Sequence, residues 1–92
     1  MAVYRARMID AITAGEHTFE FNGRDDLMSD TPVRIVRAFF DTVDRHLFPV
    51  KHKDWEVNCA FKNADRGVAC VMGVLHCEEG PHLPFAVFVG PK

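Results

Sequence analysis

The sequence predicts an α+β fold of order ββαβββ: a mainly antiparallel five-stranded sheet with one helix packed on one face. Three observations carry this. Five segments show either the two-residue alternation of a half-buried strand or the continuous apolar run of a covered one. A single segment has apolar residues at helical spacing. Short turns bearing Gly, Asn or Pro join the pieces. The 92 residues suit one domain, 1–92, without repeats, linkers or low-complexity stretches.

The first strand runs from Ala2 to about Ile12, with Tyr4, Ala6 and Met8 on one side and Arg5 and Arg7 on the other. Thr13-Ala14-Gly15-Glu16 is a turn in which Gly15 is free to take positive φ. His17 to Asn22 alternates again, so the two segments form a hairpin. Ser29-Asp30-Thr31-Pro32 opens the helix: Thr31 is placed to accept from a first-turn amide, and Pro32 suits the first helical position because it has no amide to leave unpaired. Val33, Val36, Phe40, Val43 and Leu47 make its apolar stripe, widened by Ile35 and Phe39, and Pro49 ends it by position 48. Trp55 to Lys62 alternates as a third strand, and Asn63–Gly67 is a hairpin loop. Val68–Cys77 and Leu83–Val89 are apolar on both sides. Pro84 lacks a donor, which argues for an edge position of the last strand and a spatial order 2-1-3-4-5.

Centring the two C-terminal hairpins on their loops sets Cys59 opposite Cys70, Val57 opposite Met72, Leu75 opposite Phe85 and Gly73 opposite Val87. Two surfaces follow. One holds Val57, Cys59, Phe61, Val68, Cys70, Met72, Val74, Ala86 and Phe88, the natural bed for the helix stripe. The other holds Val71, Leu75, Leu83, Phe85, Val87 and Val89 among smaller apolar residues, and a lone helix cannot cover it as well. Leaving those six in water forgoes on the order of 10 kcal/mol, comparable to the whole stability of a small domain. They are therefore the expected interface of a homodimer, formed face to face or by edge pairing of the last strands.

Charge and composition exclude several classes. Eleven Lys+Arg against thirteen Asp+Glu give a net charge of -2, so bulk cationic attraction to nucleic acid is absent and nucleic-acid binding is not favoured. No apolar run approaches the ~20 residues of a membrane span. The three cysteines form no CxxC spacing, and Met1–Arg7 lacks the apolar block of an export signal, so reduced thiols and a cytoplasmic location are expected.

Chemistry-bearing residues are few. His76-Cys77-Glu78-Glu79-Gly80-Pro81-His82 is the densest polar group, and its turn can bring His76 and His82 together. It matches no zinc pattern, and no metal or cofactor is assigned. Cys77 sits beside His76 in sequence but on the opposite face of the strand, which disfavours a thiol nucleophile. Arg5, Arg7, His76 and His82 are the candidate ligand-binding residues, while no catalytic set is assigned. The sequence points first to a small non-catalytic homodimeric binding or regulatory module. The second reading is a small dimeric enzyme acting on an apolar small molecule between sheet and helix, with His76, Arg5 or Arg7 as its polar groups.

Overall fold

The computed structural model describes residues 1–11, 14–48, 51–63 and 65–92. Five strands and one helix follow in the expected order: β1 (Ala2–Asp10), β2 (Glu16–Gly23), α1 (Pro32–Thr42), β3 (His52–Asn63), β4 (Val68–Cys77) and β5 (Leu83–Pro91). Single 3-10 turns at Leu27–Ser29 and Arg45–Leu47 flank the helix. Every pairing is antiparallel, and the spatial order is β2-β1-β5-β4-β3. Thr13 in the first turn, the helix stop at Pro49 and Ala64 in the 63–67 loop lie outside the described residues.

The last strand is therefore central, not at an edge. Its apolar character on both faces is what a central strand needs. Pro84 is tolerated there because its carbonyl, which accepts from Ala11 N–H at 2.9 Å, and hence its nitrogen, face β1 just where that strand ends at Asp10. No ladder donor is required beyond that point. Edge pairing of the last strands is excluded by the same order.

The helix begins as expected at Pro32, but its cap differs. Thr31 stands at the cap position without a side-chain cap hydrogen bond, and its backbone carbonyl accepts from Ile35 N–H at 3.0 Å. The side-chain contact comes from Asp30, whose carboxylate accepts from Thr31 N–H at 2.8 Å. The helix also stops early, at Thr42. The Asp44 carboxylate accepts from His46 N–H at 2.9 Å and opens a new 3-10 turn. That turn leaves Leu47 exposed and swings Phe48 inward. Phe48 joins Phe19, Phe39 and Phe40 in a cluster with ring centroids 5.1–5.5 Å apart. In the first turn Ala14, not Gly15, takes the left-handed conformation, with φ 55.

The C-terminal hairpins are offset from the symmetric pairing. Cys59 faces Met72, Phe61 faces Cys70, Gly73 faces Phe85 and Leu75 faces Leu83. A two-residue slip leaves each side chain on its own face, so the two surfaces keep their members. A bulge between Val57 and Cys59 is the exception and turns Val57 toward the Gly73 side. Gly73 has no substitute there: a Cβ would lie 1.9 Å from the Glu56 carbonyl oxygen, so only glycine lets β3 cross so closely.

The helix lies on the other surface from the one expected. Val71, Leu75, Leu83, Phe85, Val87 and Val89 are all 4% exposed or less and form the core beneath α1, so they are not the open interface. The cause is the β1–β5 pairing. Ala6 faces both Phe19 and Val89, and Met8 faces Val87, which joins the aliphatic row of β5 to the aromatic row of β2. Phe19 and Phe21 meet Phe39 of the helix at centroid distances of 5.2 and 5.8 Å. The chain must pass from edge strand β2 to edge strand β3. An 11-residue helix, about 16 Å long, nearly spans the ~19 Å between them on that side.

Candidate functional site

The centre of the face opposite the helix is built by the outward positions of four strands. On β1 these are Val3, Arg5, Arg7 and Ile9; on β5, Pro84, Ala86 and Phe88; on β4, Val68, Cys70, Met72, Val74 and His76; and on β3, Glu56, Cys59 and Phe61. Register places them in rows. Arg7, Phe88, Cys70 and Phe61 lie side by side across four strands, and Ile9, Ala86, Met72 and Cys59 form the next row. The centre is thus continuously apolar from β1 to β3. Phe61 is 50% exposed, Met72 43% and Ile9 40%. Two shallow recesses mark the face, one lined by Arg5, Arg7, Val68 and Phe88, the other by Ile9, Met72, Val74 and Ala86.

Charges sit at two diagonal corners. At the β1–β2 corner Arg7 pairs with Glu16, Arg5 lies 4.0 Å from Glu20, and Lys92 Nζ is 3.0 Å from Glu20. Three cations there meet two carboxylates. At the β3–β4 corner the outward residues are Asp54, Glu56 and His76, and His76 Nε2 lies 3.5 Å from Glu56 Oε2. His82 returns after the turn to stand against His76, with ring centroids 4.6 Å apart.

The four candidate ligand-binding residues therefore fall into two separate places. Arg5 and Arg7 share one corner, while His76 and His82 are brought together at the other. All of Arg5, Arg7 and His76 lie on the sheet side away from the helix. A pocket between sheet and helix would therefore not be lined by these three side chains.

The thiols divide by environment. Cys59 is exposed, whereas Cys70 and Cys77 are buried. Burial, and next the neighbouring Cys59, push the Cys70 thiol above its ordinary range. Sequence reasoning recognised that one face stays open but missed Phe61, Met72, Phe88 and Ile9 as its members. One signal for them was present: the other surface is flanked by Tyr4, Ala6, Met8, Phe19 and Phe21 only if β5 pairs with β1.

The chain was compared with known proteins, and it matches no protein-family model, no curated protein and no solved structure.

Proposed function

We propose that the protein is a small non-catalytic association module that pairs with a second copy of itself through the outer sheet face. The observation that carries this is the unbroken apolar patch from Ile9 through Ala86, Phe88 and Met72 to Phe61, on the side that the single helix leaves open. Four strands at ~4.8 Å and about six residues at ~3.3 Å give a flat patch of roughly 400 Å². With its polar rim the face approaches the ~800 Å² per partner of a standard stable interface.

Two features favour a second copy as the occupant. The first is the charge pattern. A two-fold axis along the other diagonal sets the Arg5, Arg7 and Lys92 corner of one copy over the Asp54 and Glu56 corner of its mate. The strands of the two sheets then cross steeply, as in orthogonal sheet packing. The second is the state of the edge. The exposed edge strand β3 carries Lys53, Asp54, Glu56 and Lys62 and the bulge at Val57/Cys59, devices that discourage edge-to-edge pairing and leave the face as the route of association. No helix among the described residues is long and apolar enough to cross a membrane. Three free thiols fit a reducing compartment such as the cytoplasm.

Sedimentation equilibrium over a wide concentration range tests the proposal, with Cys59 as an internal reporter. A dimer of roughly 21 kDa, twice the 10.4 kDa chain, is expected. Labelling of the exposed Cys59 thiol is expected to slow as the dimer fills. A single 10.4 kDa species at all concentrations, with Cys59 labelled equally fast throughout, would refute it.

A further inference from the structure

We propose that His76 and His82 form a two-imidazole binding site for a borderline divalent transition-metal ion of the nickel, copper or zinc class. The sequence spacing matches no zinc pattern, and it is the fold that brings the two rings together. His76 projects from the outer face of β4, and the Glu78–His82 turn, reversed at Gly80 with φ 79, returns His82 against it. The two rings meet edge to face at 4.6 Å between centroids and 66° between planes. His76 is only partly buried and His82 is exposed, so ring packing gains little from shielding apolar surface.

The surroundings favour a cation. Glu56 Oε2 stands 3.5 Å from His76 Nε2, the relation by which a carboxylate commonly orients a metal-binding imidazole. Asp54 is the cross-strand partner of His76, with its Oδ1 accepting from Trp55 N–H at 2.8 Å. Glu78 and Glu79 follow in the turn, where the Glu78 N–H donates to the Lys51 carbonyl at 3.2 Å. Imidazole nitrogens suit nickel, copper and zinc, whereas magnesium and calcium demand oxygen cages. Among the described residues no three His, Cys, Asp or Glu side chains are gathered as a metal-holding group, so an ion held by the two imidazoles would take its remaining ligands from water. Both imidazoles come from one chain, so no second copy is needed to complete the site; the proposed dimer sets its mate's Arg5, Arg7 and Lys92 over the same corner, so metal uptake is read at dilutions where the chain is single.

Nickel is the probe, since it does not oxidise the exposed Cys59 thiol. Calorimetric titration is expected to show one Ni²⁺ per chain, with no uptake of Mg²⁺. His76→Ala and His82→Ala are each expected to weaken binding by about tenfold or more, Glu56→Gln by less, and His46→Ala not at all. In the parent protein, paramagnetic broadening of amide NMR signals is expected to centre on residues 54–56 and 76–82. That mapping decides the matter even if a variant folds poorly. No uptake at millimolar Ni²⁺, undiminished binding in both histidine variants, or broadening centred elsewhere would overturn the proposal.

Discussion

Replacing Phe61 with Asp separates the two faces of the sheet experimentally. Phe61 is 50% exposed in the single chain, so about 100 Å² of its ~200 Å² remains to be covered by a partner. Two copies bring about 200 Å² to the interface, which at ~25 cal/mol/Å² is about 5 kcal/mol per dimer as an upper figure. Phe61→Asp should therefore weaken the dimer by roughly two to four decades while the fold persists. Phe85→Asp is the companion. Phe85 is 4% exposed and packs against Phe40 and Trp55 at centroid distances of 5.7 and 6.5 Å. A carboxylate placed among these buried rings is cut off from solvent, so Phe85→Asp should unfold the chain. Sedimentation reads the first effect and far-ultraviolet circular dichroism the second. A Phe61→Asp protein that still sediments as a dimer refutes the interface. A Phe85→Asp protein that stays folded refutes the assignment of faces.

Three further outcomes follow from local geometry. Gly73→Ala should cost at least about 1–3 kcal/mol, because its Cβ meets backbone rather than a movable side chain, and urea unfolding would reveal it; an unchanged midpoint contradicts the close β3 crossing. Ala14→Gly should stabilise the first turn by about 0.5–1 kcal/mol by relieving the left-handed alanine, a rise of several degrees in Tm. Asp30 is held below the usual carboxylate range by the Thr31 amide first and Arg24 second. Its contribution is thus present above about pH 4 and lost as the pH falls through its lowered folded value. Asp30→Asn should be less stable than the parent at pH 7, and the gap should close in strong acid. A gap that is constant from pH 7 to pH 2 excludes the charge as its source.

The alternation of Tyr4, Ala6 and Met8, the Thr31-Pro32 opening and the two-sided apolar runs of β4 and β5 were enough to read the element order, because each is a local pattern with its own period. The membership of the two surfaces was legible for the same reason: a slip of two residues does not move a side chain through the sheet. Sequence also located the dense polar turn whose ends, His76 and His82, meet in the fold.

What local pattern cannot contain is which strand lies beside which. Pro84 argued for an edge, yet β5 is central, since the proline nitrogen faces the point where β1 has ended. Once β5 lies against β1, Met8 brings Val87 and Ala6 brings Val89 under the helix, and the whole expected interface becomes core. Phe61, Met72 and Phe88 are left outside by the same act. The amphipathic periods were written in the chain itself. The choice between two nearly equal apolar faces was made only by long-range pairing, where a single inter-strand register couples every side chain on both sides of the sheet.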